Sequence, residues 1–382
     1  MKIGIMLRHY EQQEGGVKVY TKKLLPLLFS LGSRHQYVLI YQNAKLLGTY
    51  AQYSNVEEVA VRVPGTVAWD QLAVPWVVKK KRIDLVFNPK FTIPFFCNAK
   101  KMFVLHGSEW FVIPEHFKKH DQWYFNFFVP LYCRYADAFV AVSNAVKRDV
   151  VKHTGVDPAK VHPIHNGFDP VLFQPVTDAE TLAAVRRKYS LPERFILWCG
   201  QIESRKNVAR LLRAFAQIKD SVPHDLVLAG EQRWSTSAEL RVVRELGIED
   251  RLHFPGWVQH SDLAAVYSLA ELFAFPSLYE GFGIPIVEAM ACGCPVLSAN
   301  TCAPPEVLDG SGYLVDPLSI EDIAGGMRKI LLDADLRATM ISKGLERAKD
   351  FGWEQCATQV LQVFDLLEPL NAAETATARS DR

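Results

Sequence analysis

The 382-residue chain holds no run of eighteen or more apolar residues, so no segment reads as a membrane-spanning helix. Its opening, MKIGIMLR, has charge at both ends and reads as a strand, not as a signal peptide. Charge of one sign is also missing: 43 Lys+Arg stand against 42 Asp+Glu, a net of +1, which gives no overall attraction for nucleic acid. The seven cysteines, at 97, 133, 199, 292, 294, 302 and 356, are odd in number and show neither CxxC nor Cys/His ligand spacing. A disulfide framework and a structural zinc site are therefore disfavoured, and a reducing compartment is expected. The protein is expected in the cytoplasm, soluble or at most peripheral at the inner face of a membrane. The full GxGxxG fingerprint is absent, and the second expected strand ends in YQN with no acidic residue to hold a ribose, which disfavours a nicotinamide dehydrogenase.

What the chain does have is alternation. Short β-branched and aromatic runs at 2–7, 37–41, 57–63, 84–88, 101–106 and 137–143 are mostly separated by segments of helical period. A second series follows at 194–200, 225–230, 252–256, 271–276, 295–299 and 312–316. This is the pattern of parallel sheets covered by helices on both faces. Between the two series, Pro170, Pro175 and Pro192 bracket a polar helix with Arg186, Arg187 and Lys188, as in a linker. The expected fold class is α/β, with two Rossmann-like domains facing each other across a cleft. The first spans 1–172 and the second 190–352; a terminal helix over 353–370 is free to pack on either, and a small, polar tail at 371–382 is expected to be disordered. Residues 1–175 carry 22 Lys+Arg against 13 Asp+Glu (+9), and the remainder 21 against 29 (−8). Either the first half meets something anionic, such as a phosphorylated acceptor or a membrane surface, or the imbalance is solvated surface charge.

The densest chemical signal is SLYEGFGIPIVEAMACGCPVLSA, residues 277–299. A strand ends at Pro276, a helix begins near Pro285, and Gly281 and Gly283 between them allow close backbone approach. Free N–H groups at such a helix start point toward an anion, and diphosphate is the obvious one. Glu280 in the loop and Glu288 one turn into the helix are too far apart for a close catalytic pair. They suit the two diol-bearing sugars of one extended ligand, since carboxylates accept hydrogen bonds from diols. In GQIESRKNVARLLRAF, residues 200–215, Arg205 and Lys206 are adjacent cations at a helix start and need an anionic partner. Gly15 and Gly16 follow the first strand where backbone approaches phosphate in nucleotide-binding folds. His106 ends a strand above the cleft. In IPEHFKKHDQWYFNFFVPLY, residues 113–132, lysines adjoin aromatics, which suits either a membrane interface or a buried helix.

The string EGFGIPIVE matches the E-x7-E signature of family 4 retaining glycosyltransferases of the GT-B fold, and the chain resembles that family over nearly its whole length. The resemblance implies that Glu280 contacts the donor hexose and Glu288 the ribose hydroxyls. It implies that Phe282, Gly283 and Ile284 meet the transferred sugar and diphosphate through backbone groups. By the same resemblance Arg205 and Lys206 neutralise the leaving diphosphate without a metal ion. Relatives often carry the arginine directly after the glycine, where this chain has Gln201, so Arg205 acts as a substitute. Gly16 is expected to line the cleft, His106 to contact the hexose or shape the acceptor site, and backbone near Val258 to meet the base. AVSNAVKRDVV around Ser143, and Asn166-Gly167, are given scaffold roles. The implied donor is a nucleotide diphosphate sugar, a substrate and not a cofactor, and the SRKN string favours GDP-mannose. The acceptor would be a glycan or lipid-linked glycan of polysaccharide or cell-envelope biosynthesis. A sugar-nucleotide 2-epimerase of the same fold, or a catalytically silent partner subunit, are the alternatives.

Overall fold

The computed structural model describes residues 1–10, 15–230 and 243–368; the last two positions of the expected terminal helix and the tail at 371–382 lie outside the described residues. Two sheets are present. The first comprises β1 (Lys2–Met6), β2 (Gln36–Tyr41), β3 (Val56–Ala60), β4 (Leu85–Asn88), β5 (Lys100–Leu105), β6 (Ala138–Ala141) and β7 (Val161–Pro163). The second comprises β8 (Phe195–Cys199), β9 (Asp225–Ala229), β10 (Leu252–Gly256), β11 (Leu272–Phe275), β12 (Val296–Ala299) and β13 (Tyr313–Val315). Their orders are β3-β2-β1-β4-β5-β6-β7 and β10-β9-β8-β11-β12-β13. Every pairing in both is parallel. β4, β6, β11 and β12 are buried at every residue, as strands covered by helices on both faces must be.

Sequence periodicity foretold all these strands but β7. VHP is three residues long, sits at the edge and ends in proline, so it lacks the run of alternating residues that marks a strand. The linker helix runs over Ala179–Lys188, with the side chain of Asp178 accepting from the Thr181 N–H as its cap. The chain crosses back once more: Phe168 bridges to Gly352, and a Cβ on Gly167 would overlap the backbone of Trp353. The two crossovers thus run side by side. Beyond them, helix Trp353–Leu366 packs against helix Gly16–Leu31 of the first half, with Trp353 edge-on to Tyr20 at 5.7 Å and Phe364 edge-on to Phe87 at 5.1 Å.

In each sheet the strand order reverses at one place, between β1 and β4 and between β8 and β11. Loops leaving the carboxyl ends of strands diverge at such a switch point and leave a crevice. Gly16 follows β1 at the first reversal, and Arg205, Lys206 and Glu280 follow β8 and β11 at the second, while His106 follows β5 and Val258 follows β10.

Candidate active site

β8 ends at Cys199 and delivers the chain into a single 3-10 turn, Ser204–Lys206, before helix Val208–Ile218. The join is Asn207, in the left-handed conformation at φ 60°. Its side-chain amide donates to the carbonyls of Pro276 (2.9 Å) and Pro317 (2.7 Å), and Leu278 N donates to Arg205 O (2.8 Å). The SRK turn is therefore fastened to the exit of β11. That fastening sets Lys206 Nζ 2.7 Å from Glu280 Oε1 and 4.6 Å from the centre of the Phe275 ring. Lys206 is 11% exposed and Glu280 8%, and burial lowers the lysine's pKa, with Glu280 opposing the shift. Arg205 lies further out. Its Nε pairs with Glu203 at 2.8 Å and its Nη1 stands 3.8 Å from Glu280. Burial pulls the Arg205 pKa down, but the carboxylates of Glu280, Glu203 and Glu109 outweigh it.

After Glu280 the chain turns through Gly281 and Phe282 to Gly283, whose φ of 97° disfavours a side chain, and enters helix Ile284–Ala291 with Pro285 in its first turn. The Phe282 ring turns away toward His165 and Phe351 at 5.6 and 5.5 Å. Glu288 is buried on this helix, and desolvation raises its carboxyl to about 8, the Tyr267 hydroxyl acting the other way. Val258, 7% exposed, follows the end of β10 beside the exposed Trp257.

The opposing wall comes from the first sheet. His106, one residue past β5, has Nε2 2.8 Å from the Pro89 carbonyl, and its ring meets Tyr20 edge-on at 4.9 Å. Burial lowers its pKa to about 4, the bond to Pro89 opposing and Lys90 assisting. The ring is thus neutral near pH 7. A carbonyl only accepts, so the proton sits on Nε2 and Nδ1 is left as an acceptor. Gly16 opens helix Gly16–Leu31 with open space around it.

The walls touch. A Cβ on Gly281 would overlap the His106 carbonyl oxygen, so only glycine allows that approach. Ser143 Oγ donates to Gly281 O at 2.7 Å, and the Tyr279 hydroxyl lies 2.8 Å from both Ser108 N and Ser108 Oγ. Ser143, expected as scaffold, is thus a fastening between the halves. Farther along the seam, Glu306 accepts from Asn144 N (2.9 Å), Asn144 Nδ2 (2.8 Å) and Ala145 N (3.2 Å), and its Oε1 lies 2.5 Å from His165 Nε2. The structure brings Glu280, Lys206, Arg205, Gly281 and His106 together. Glu288, Val258 and Gly16 sit on neighbouring loops and helices, outside that cluster.

Sequence reading missed Glu109, Asn207, Tyr279 and Glu306, because each acts through a partner at least 69 residues away in the chain. The Glu three residues after His106 was the one local hint of the first. The aromatic segment divides. Trp123 and Phe127 of helix Lys119–Tyr135 are 65% and 52% exposed and stack on each other at 5.7 Å. Phe125 stacks on buried Trp110 at 4.4 Å. The inward residues fit the buried-helix reading, and Trp123 and Phe127 face solvent. Among the described residues no helix is long and apolar enough to cross a membrane.

Two family profiles match the chain. Residues 15–172 match Glycosyltransferase Family 4, and residues 184–347 match Glycosyl transferases group 1. Among curated proteins, the O-antigen chain mannosyltransferase B of Escherichia coli is 35% identical over 196 residues, 50% of this chain and 51% of that protein. The serotype-specific mannosyltransferase WbdA of Escherichia coli is 32% identical over 252 residues, 64% of this chain and 31% of that protein. The matches thus span about half or less of the length of these curated relatives. Among solved structures, Anabaena HepE in complex with UDP and glucose superposes with a TM-score of 0.75 at 21% identity, covering 96% of this chain and 99% of that one. That likeness shows the GT-B fold.

Proposed function

The chain belongs to the glycosyltransferases that these two profiles describe, Family 4 over its first half and group 1 over its second, and from that premise we propose its reaction. It is a retaining hexosyltransferase that takes its sugar from a nucleotide diphosphate donor, GDP-mannose first among them, and gives it to a glycan or lipid-linked glycan acceptor in polysaccharide or cell-envelope biosynthesis. The observation that carries this reading is the largely buried Lys206–Glu280 pair at the strand-order reversal between β8 and β11. The mannosyltransferase names of the relatives support the donor choice.

The donor lies along the second half, its ribose at Glu288, its diphosphate between Lys206 and the N–H groups around Gly283–Ile284, its hexose at Glu280. Lys206 and the helix N-terminus stabilise charge as it develops on the leaving phosphate, where preorganised donors contribute most. His106, neutral, offers Nδ1 as an acceptor to a sugar hydroxyl. The departing phosphate oxygen takes the acceptor's proton, so attack proceeds from the same face and the anomeric configuration is kept. The closed seam excludes water, which would otherwise hydrolyse the donor. Exposed Trp123 and Phe127, together with the basic first half, supply a peripheral contact with a membrane carrying the acceptor.

The test is thermal protection by GDP, UDP and their sugars, with and without Mg²⁺, on wild type and Lys206→Ala. A ligand at about 100 times its Kd stabilises the native state by about 2.7 kcal/mol. We expect one nucleotide to protect wild type without Mg²⁺ and to lose that protection in the variant. Protection by none of them would overturn the proposal.

A further inference from the structure

Arg205 and Lys206 are adjacent in sequence, yet their surroundings differ in kind. Lys206 is nearly enclosed, laid over Phe275 and bound to one carboxylate. Arg205 is 28% exposed and lies among three: Glu203 at 2.8 Å, Glu280 at 3.8 Å, and Glu109 reaching across from the first half. A diphosphate brought to Arg205 would meet more negative charge than positive. A polyol would not, because hydroxyls donate to carboxylates and accept from a guanidinium.

Glu109 is placed to share that polyol. It lies three residues past His106, and its carboxylate folds back over Gly107, where a Cβ would overlap Glu109 Oε2. Gly107 is also the residue against which Gly281 is packed, its Cα 3.1 Å from where a Gly281 Cβ would be. The Glu109 carboxylate and the Glu280–Gly281 turn therefore flank one glycine from opposite halves of the molecule. No other side chain hydrogen-bonds to Glu109 among the described residues; its burial raises its pKa, with Arg205 opposing. His116 of the first half stands beside this cluster, its Nδ1 2.8 Å from the Oγ of Ser204, next to Arg205.

Resting on the transferase reading above, we propose that Glu109 and Arg205 form the acceptor subsite. Glu109 accepts a hydrogen bond from a hydroxyl next to the attacking one, whose own proton goes to the departing phosphate, and Arg205 holds a further oxygen of the same sugar. Arg205 then leaves diphosphate recognition to Lys206 and the loop backbone.

The experiment compares wild type, Glu109→Gln, Glu109→Asp, Arg205→Ala and Lys206→Ala. Calorimetry gives the Kd of GDP and UDP, and transfer from the matching nucleotide sugar to methyl α-D-mannopyranoside gives the acceptor KM and kcat. Melting curves confirm that each variant is folded. We expect the Glu109 and Arg205 variants to keep nucleotide Kd within about threefold, and Lys206→Ala to raise it by about 30-fold. Transfer should fall about tenfold or more in Glu109→Gln and Arg205→Ala through acceptor KM and kcat, with partial recovery in Glu109→Asp. If Arg205→Ala weakens nucleotide binding as much as Lys206→Ala, Arg205 is a diphosphate residue and the subsite is wrong while the transferase reading stands. Unchanged transfer in Glu109→Gln would also overturn it. If wild type binds neither GDP nor UDP, the transferase reading itself fails and the subsite falls with it.

Discussion

Glu288 carries a carboxyl that burial lifts to about 8, against an ordinary value of 4.5. Below pH 4.5 the group is neutral whether the chain is folded or not. As pH rises toward 8 the unfolded chain ionises while the folded one resists, so folding stability falls across that window. Glu288→Gln removes the penalty, and its melting temperature should exceed that of wild type increasingly from pH 5 to pH 8. Accepting from both ribose hydroxyls at once favours the ionised form of the same carboxyl. Nucleotide binding near pH 7 should therefore release a proton, read by calorimetry in buffers of different ionisation enthalpy, and Glu288→Gln should abolish the release. Equal enthalpies in all buffers would count against Glu288 as the ribose ligand. At this scale the residues legible in sequence were those packed into one local string, such as Glu280, Gly283 and Glu288. Asn207 was not, because its left-handed conformation and its bonds to Pro276 and Pro317 belong to a fold that brings residue 207 beside residue 317.

Among the elements, helix Asn144–Thr154 is capped twice, by its own Ser143 hydroxyl at Val146 N (3.1 Å) and by the Glu306 carboxylate of helix Pro304–Leu308 from the other half. Burial alone would raise the Glu306 pKa; His165 and Asn144 outweigh it and hold it at about 2. This contribution is present above pH 4.5 and is lost as pH falls through 2. Glu306→Gln should lower stability at pH 7 by on the order of 1 kcal/mol, read as a lower melting temperature, given the group's partial exposure, and should flatten the acid limb of stability against pH. An acid limb identical to wild type would show that the contact contributes nothing in solution. The segment around helix Lys119–Tyr135 was legible as basic and aromatic, but which aromatics faced inward was not. The stacking of Phe125 on Trp110 depends on a short helix, Glu109–Val112, whose place only the fold decides. Its outward pair gives a further expectation: the protein should float with anionic liposomes, and Trp123→Ser with Phe127→Ser should return it to the soluble fraction. Wild type left wholly soluble would remove the membrane contact.

For the whole molecule, two parallel sheets with their covering helices could be read from alternation, since strands and helices carry distinct periods, whereas the strand orders came only with the fold. How tightly the halves meet could not be read, because the seam is made of single residues spread over the chain. Tyr279 is one such residue: its hydroxyl accepts from Ser108 N at 2.8 Å and meets Ser108 Oγ at the same distance, both across the seam. Tyr279→Phe keeps the buried ring and removes only that bridge, leaving a buried N–H without its partner at a cost of about 1–3 kcal/mol whenever the halves stay closed. Opening lets water satisfy the orphaned group, so the variant should shift toward an open form while each half keeps its fold. Small-angle scattering of Tyr279→Phe should give a larger radius of gyration than wild type, with and without nucleotide, since the proposed nucleotide site lies along the second half alone. On the proposed reading, opening leaves the donor site on the second half intact and moves the acceptor wall away, so nucleotide affinity should change little while transfer falls about tenfold. Scattering curves that coincide for the two proteins, with transfer undiminished, would mean that the seam is held elsewhere, by the Gly281 contact and the Glu306 cap.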